Sequence, residues 1–279
     1  MFQIEKCCST WQIVDYGVED APDPDDALGR RRITRRVVTV AEDWHRLPRL
    51  DPGRGFVTEI LRAAGLIRRA LPGVPVIATV YGPAAQAAKL AEADLLAVHV
   101  REAPEAVAAG LRTITANTVR VIRALADTGI DGVFLAVQNA RTGAFTTDAY
   151  AGFGLPGDIA CLAAMRDLPL NILHLHGDGV HHGLFRDRLP ALLHLEASPG
   201  NPAPETLLAG GGLAAGPSPW GVLSSGSAVE AFAEAEALLM RLKGPGFVLA
   251  PGCTLPVYTP TANIDALVAA ARTWRCREI

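Results

Sequence analysis

The chain has 279 residues, enough for one large domain or two small ones. Apolar residues make up 49% and charged residues 20%, which excludes a disordered chain because such a composition can bury a substantial core. The net charge of −3 excludes a basic surface for nucleic acid, and no apolar run reaches the ~18 residues that span a bilayer. Five cysteines, two of them adjacent at Cys7-Cys8, do not form a disulfide framework, and the start lacks the order of a signal peptide. We therefore predict a reduced, cytoplasmic protein that acts on a small molecule.

The first 50 residues are the least regular part of the chain. Two short apolar pieces lie at 2–4 and 11–16, and Val37 to Val40 is a further candidate strand. The basic block at 29–36 follows an acidic stretch, so we predict a solvated loop whose charges pair with one another. The acidic residues are Glu19, Asp20, Asp23, Asp25 and Asp26.

From residue 56 onward, predicted helices and strands alternate. Apolar runs bounded by turn residues predict strands at 75–81, 132–137, 170–176, 191–196, 212–215 and 246–250. Apolar residues at helical spacing predict helices at 56–70, 84–96, 103–128, 146–166, 228–242 and 262–274. Near-continuous apolar strands separated by helices indicate an α/β fold with a parallel sheet covered by helices.

Two architectures fit this alternation, a doubly wound sheet and a (β/α)8 TIM-type barrel. The glycine fingerprint of a dinucleotide-binding sheet is absent, whereas polar residues at the ends of several strands favour the barrel. At most two weak strands precede residue 56, so we expect a single barrel domain over 1–279 that is incomplete at its N-terminal end.

The segment His174-Leu175-His176 is the most informative part of the sequence. Residues two apart in a strand point to the same side, so the two imidazoles project together into the barrel mouth while Leu173 and Leu175 face the helices. Cys253 follows the last strand after Pro251-Gly252 and can turn back over the strand ends. Three nitrogen and sulfur ligands with one open position predict a catalytic zinc site.

Each of these residues also has a simpler interpretation. Paired histidines often bond to backbone at the end of a strand, and a single cysteine after Pro-Gly is often a small buried apolar residue. His181 is kept only as a spare ligand or acid–base group, because it and His182 are expected to open a helix.

Three further residues at strand ends are candidates for the chemistry. Gln138 and Tyr81 could orient a substrate, and Glu196 could act as a general base or support a ligating histidine. The alternatives are that the amide bonds to the next loop and that the carboxylate is a surface charge.

Several phrases of the C-terminal half together resemble the uroporphyrinogen decarboxylase superfamily. They are Leu173-His-Leu-His-Gly177, Gly246-Phe-Val-Leu-Ala-Pro-Gly-Cys253 and Thr259-Pro-Thr-Ala-Asn263, with Pro75-Val-Ile-Ala-Thr-Val-Tyr-Gly-Pro83, Gly129-Ile-Asp-Gly-Val-Phe134 and Asp43-Trp44 agreeing with divergent members. The similarity spans about residues 37 to 274. It implies a (β/α)8 barrel with its site at the C-terminal mouth, and more chain in front of the region that matches 11–44.

The resemblance implies two classes of enzyme. Cobalamin-linked thiol methyltransferases of the superfamily hold zinc with the pattern His-x-Cys…Cys. The resemblance aligns His174 with the first ligand of that pattern and Cys253 with the last. His176 stands in place of the middle cysteine. Metal-independent decarboxylases bind carboxylates through an N-terminal Arg-Gln-Ala-Gly-Arg segment, which this chain lacks.

We therefore expect a zinc-dependent methyl or one-carbon transferase with a thiol-like acceptor and a corrinoid, or a corrinoid protein, as donor. The alternative is a metal-free porphyrinogen decarboxylase of tetrapyrrole metabolism, for which cations such as Arg141 are sparse. A third hypothesis is a non-catalytic barrel that binds a partner. An open barrel would expose edge strands, which pairing of 2–5 or a second copy in a homodimer would cover.

Overall fold

The computed structural model describes residues 1–4, 11–188, 192–243 and 245–277. Cys7 and Cys8, and Glu5 of the expected strand 2–5, lie outside the described residues. The strands are β1 (Phe2–Ile4), β2 (Glu19–Pro22), β3 (Arg31–Arg35), β4 (Val76–Tyr81), β5 (Gly132–Val137), β6 (Ile172–Leu175), β7 (Leu192–Leu195), β8 (Leu213–Ala215) and β9 (Phe247–Leu249).

Eleven α-helices are present in this part of the chain. They are α1 (Trp11–Val14), α2 (Gly55–Ala70), α3 (Pro83–Ala91), α4 (Ala93–Glu102), α5 (Pro104–Asp127), α6 (Thr147–Phe153), α7 (Leu155–Met165), α8 (Pro204–Ala209), α9 (Val222–Ser225), α10 (Ala228–Arg241) and α11 (Thr261–Arg277). Two 3-10 helices lie at Ala41–Arg46 and His182–Arg188. None of the described helices is both long and apolar enough to cross a membrane.

Seven strands form one parallel sheet in the order β1-β4-β5-β6-β7-β8-β9. This order confirms the α/β prediction and a (β/α)8-type barrel that is incomplete at its N-terminal end. Within the described chain, β1 and β9 form the two edges of the sheet. The strands in between are largely buried and consist mainly of Val, Ile, Leu and Ala, as expected for a sheet covered by helices.

Alternation along the strands stacks the inward side chains in layers. One layer follows the register across the sheet and consists of Tyr81, Ala136, His174, His194, Ala214 and Val248. Thr79, Phe134 and Ile172 form the layer below it, toward the strand N-termini. The outward residues, such as Leu173 and Leu175, pack in the main apolar core with the covering helices.

The charged N-terminal segments form an antiparallel hairpin of β2 and β3. Arg31 pairs with Asp20 at 2.9 Å and Arg35 with Glu19 at 2.8 Å, which confirms that the acidic and basic stretches pair with one another. The segment was wrongly expected to be a loop, because cross-strand ion pairs let charged residues form a ladder without an apolar pattern.

Three further predictions of secondary structure were wrong. Val37 to Val40 form no strand, because the amides of Val37 and Val38 both donate to the carbonyl of Leu90 at a helix end. The helix predicted at 84–96 is divided at Glu92, whose φ of 74° ends α3. The helix predicted at 146–166 is divided at Gly154, after which Pro156 occupies the first turn of α7, where its missing N–H costs nothing.

Candidate metal centre

Strand β6 places His174 and His176 on the side of the sheet that faces the barrel interior. His174 is 5% exposed, and its ring stacks on Phe134 with centroids 5.2 Å apart. His176 follows the end of the strand, where its amide continues the ladder by donating to the carbonyl of Val137 at 3.0 Å. The two ring centroids are 5.7 Å apart, so both imidazoles reach the same region of the mouth.

The turn after β9 brings Cys253 to these histidines. The amide of Gly252 donates to the carbonyl of Pro217 at 3.2 Å, which holds the turn over the strand ends. Cys253 Sγ lies 3.8 Å from Nε2 of His174 and 3.4 Å from Nδ1 of His176. All three ligand atoms lie within 4.8 Å of one another. The structure thus brings together the three residues that the sequence proposed as ligands.

The electrostatics of the site keep both imidazoles neutral. Burial, followed by the neighbouring rings of His194 and His176, lowers the pKa of His174 well below its ordinary value. Burial also lowers the pKa of His176, and the charges of Arg141, Lys89 and Arg30 lower it further. A neutral imidazole is the form that binds a metal ion, so protons do not compete strongly for this pair near neutral pH.

The donor set fits zinc. Two imidazoles and one thiol are ligands that zinc prefers, and tetrahedral bonds of ~2.0–2.3 Å separate neighbouring nitrogen and sulfur ligands by ~3.5 Å. The observed separations of 3.8 Å and 3.4 Å from Cys253 Sγ agree with that spacing. Three ligands leave one position for a substrate, as in catalytic zinc sites.

The ligand set opens into a cavity of about 430 Å³ inside the barrel. Its lower wall is apolar, with Phe134, Ile172 and Ala214, and its mouth carries Arg30 and Lys89. None of the described residues that line it has a carboxylate. The cavity therefore combines a soft-metal ligand set, an apolar wall and a positively charged rim.

Two of the other sequence candidates line this cavity. Tyr81 is 5% exposed and its ring lies 5.2 Å from Nζ of Lys89, and Gln138 follows β5 at the same mouth. Their catalytic roles remain predictions.

Glu196, His181 and Arg141 do not line the cavity. Glu196 packs against the backbone of Gly252, and burial, followed by the charge of Asp178, raises its pKa. His181 is buried, with its ring nitrogens 3.2 Å from Thr147 Oγ1 and 2.9 Å from the carbonyl of Phe145. It begins the loop into the 3-10 helix at 182–188, so the expected helix start is confirmed.

The family comparison agrees with the fold and the site. The profile described as uroporphyrinogen decarboxylase (URO-D) matches residues 29–274, most of the chain. The chain belongs to the uroporphyrinogen decarboxylase family. This result confirms the resemblance carried by the His-Leu-His and Pro-Gly-Cys segments.

Solved structures show the same fold. A methyltransferase from Methanosarcina mazei superposes with a TM-score of 0.82 at 21% identity, covering 98% of this chain and 80% of that protein. A B12-independent methionine synthase from Shewanella sp. W3-18-1 has a TM-score of 0.53 at 12% identity, covering 78% and 67%. A putative vitamin-B12 independent methionine synthase from Listeria monocytogenes has a TM-score of 0.54 at 13% identity, covering 77% and 68%. None of the curated proteins matches.

This family member carries site residues that the sequence did not single out. His194 lies on β7 directly opposite His174, and Lys89 and Arg30 come from α3 and the loop before β3. The sequence does contain a pattern that could have identified His194. This histidine lies between Leu193 and Leu195, just as the two candidate ligand histidines alternate with leucines. Arg30 and Lys89 had no such signal, since only packing brings them to the mouth.

Proposed function

We propose that this protein is a zinc-dependent methyl or related one-carbon transferase, with a thiol-like acceptor and a corrinoid-linked donor. The observation that carries the proposal is the convergence of His174 Nε2, His176 Nδ1 and Cys253 Sγ within 4.8 Å at the cavity wall. Membership of the uroporphyrinogen decarboxylase family and the likeness in fold to a solved methyltransferase support it.

The bound metal would lower the pKa of the acceptor thiol and so supply a thiolate at neutral pH. The protein's own residues bind and orient the acceptor. Gln138 and Tyr81 offer polar groups beside the ligands, and the apolar wall at Phe134 and Ile172 excludes water from the reacting sulfur. In the transfer, the sulfur bonds to the methyl carbon while the bond from that carbon to its donor breaks.

The positive charge at the cavity mouth indicates which kind of thiol the site would accept. Arg30 and Lys89 line the mouth, and Arg30 is also ion-paired with Asp26, which does not itself line the cavity. The charges of both residues also act on His176, which places their positive potential at the ligand set. A small thiol with an anionic group at its other end fits this arrangement, because its charge would face the rim while its sulfur faces the metal.

Metal analysis of untagged protein tests the proposal. We expect close to one equivalent of zinc in the wild type, and less than about a tenth in His174→Ala, His176→Ala and Cys253→Ser, since each variant removes a metal ligand. His45→Ala is the matched control, because His45 is exposed on the 3-10 helix at 41–46 and does not line the cavity, so its loss should leave the zinc content unchanged. A wild-type protein that holds less than about a tenth of an equivalent, even after zinc addition, contradicts the proposal.

The second candidate is a metal-independent decarboxylase acting on a porphyrinogen-like polycarboxylate. The observation in its favour is that Arg30 and Lys89 line the cavity, because cations there could bind carboxylates. Porphyrinogen turnover by the purified protein, unchanged by a chelator, would favour this candidate over the transferase. Turnover abolished by the chelator, or none at all, argues against it.

A further inference from the structure

His194 contacts both parts of the chain that supply the candidate ligands. It pairs with His174 across the β6–β7 ladder, and the two rings lie with centroids 4.7 Å apart at an interplanar angle of 34°. Phe134 packs on the same ring pair, 5.5 Å from His194. His194 is 5% exposed, so its ring has little freedom to move, and it limits the orientations open to the ring of His174.

The same ring holds the turn that carries Cys253. Nε2 of His194 lies 2.9 Å from the carbonyl oxygen of Pro251, two residues before the thiol. Because a carbonyl only accepts, Nε2 carries the proton and donates it. Together with the bond from Gly252 to Pro217, this contact fixes the backbone of the turn at two successive residues.

We propose that His194 is a positioning residue, which holds Cys253 within reach of His174 and His176. The bond to Pro251 sets the position of the turn, and the ring contact sets the orientation of His174. A residue that orients ligands in this way raises metal affinity because less conformational entropy is lost when the ion binds. The effect on metal binding rests on the proposed function, whereas the effect on the turn does not.

Two substitutions separate the hydrogen bond from the ring. His194→Phe keeps an aromatic ring beside His174 but has no donor for Pro251. His194→Gln loses the ring, while its amide N–H reaches about as far as Nε2. The first measurement is zinc affinity by competition with a chromogenic chelator. The second is hydrogen–deuterium exchange of the peptide covering residues 250–255 in zinc-free protein.

We expect His194→Phe to bind zinc about 10-fold more weakly and to exchange the 250–255 peptide faster. His194→Gln should exchange this peptide as the wild type does, and the loss of its ring contact with His174 should weaken zinc binding by less than in His194→Phe. The proposal is overturned if His194→Phe behaves as the wild type, or if His194→Gln is impaired as much as His194→Phe. Thermal unfolding checks that each variant is folded, and His194→Asn, whose amide is too short for Pro251, replaces His194→Phe if that variant does not fold. A wild type that binds no zinc removes the proposed function, and the exchange result alone then decides the role of His194.

Discussion

The indole nitrogen of Trp44 donates a hydrogen bond to Nδ1 of His99, 3.0 Å away in the interior. Trp44 is fully buried and His99 is 8% exposed, so water cannot replace either partner. The bond joins the 3-10 helix at 41–46 to α4 and requires the proton of neutral His99 to lie on Nε2. Trp44, part of the Asp43-Trp44 phrase that resembles the family, is thus a core residue in this chain.

We expect Trp44→Phe to lower the free energy of unfolding by about 2 kcal/mol, because it removes the donor and leaves Nδ1 of His99 buried without a partner. Urea unfolding measures the loss. Trp220→Phe is the matched control, since Trp220 is 49% exposed and its substitution should change stability by less than about 0.5 kcal/mol. Equal effects of the two substitutions would show that the buried bond contributes nothing.

Alanine substitutions at two glycines should have opposite effects on the stability of the protein. A Cβ at Gly132, at the start of β5, would lie 1.6 Å from the carbonyl oxygen of Leu170, so the strands would have to move apart. We expect Gly132→Ala to destabilise the protein by about 3 kcal/mol or more. A Cβ at Gly152 in α6 meets nothing within 4 Å, and Gly152→Ala should stabilise by up to ~1 kcal/mol through helix propensity. Thermal unfolding of both variants checks the pair, and a harmless Gly132→Ala would contradict the close approach of the strands.

The buried carboxyl of Asp158 should make stability depend on pH. Burial raises its pKa to about 7, against a smaller lowering by the hydrogen bond from the hydroxyl of Tyr150. Between its ordinary pKa of 3.8 and pH 7, the folded protein keeps a proton that the unfolded chain releases. Stability therefore falls as the pH rises through this window, by about 1 kcal/mol per pH unit.

Asp158→Asn removes this titration and keeps an acceptor for Tyr150. We expect the wild type to lose stability relative to Asp158→Asn as the pH rises from about 4 to 7, as measured by the free energy of unfolding of each protein. The two proteins differ only at residue 158, so the difference in stability isolates Asp158. A difference that stays constant with pH would mean that Asp158 is not protonated in the folded state.

The charge of the cavity rim predicts which thiols bind. With zinc-loaded protein, we expect Lys89→Gln to weaken binding of 3-mercaptopropionate about fivefold, or ~1 kcal/mol, because a partly buried cation facing the carboxylate is lost. Binding of neutral 2-mercaptoethanol should not change. Arg62→Gln, on the outer surface, is the charge-matched control. Calorimetric titration measures both thiols, and equal losses for the two would rule out a charge contact at Lys89.

The sequence predicted the strands that build the candidate site because their pattern is local. Apolar runs bounded by turns are buried wherever the chain places them, and alternation within β6 points His174 and His176 to one side without help from other segments. The position of Cys253 after a strand and a Pro-Gly turn predicted that it lies at the same mouth. These local rules account for the ligand set and for the parallel sheet.

The rest depends on contacts between segments far apart in the chain. Arg30 looks like one more member of a charged loop, and only the packing of the loop before β3 brings it to the rim. His194 forms a hydrogen bond with the carbonyl of Pro251, which lies in a turn 57 residues away. Trp44 forms one with a ring nitrogen of His99. Local pattern predicted the strands of the parallel sheet and which way their side chains face. Tertiary structure decided which distant polar groups meet, because those partners are selected by burial and hydrogen bonding that no single segment contains.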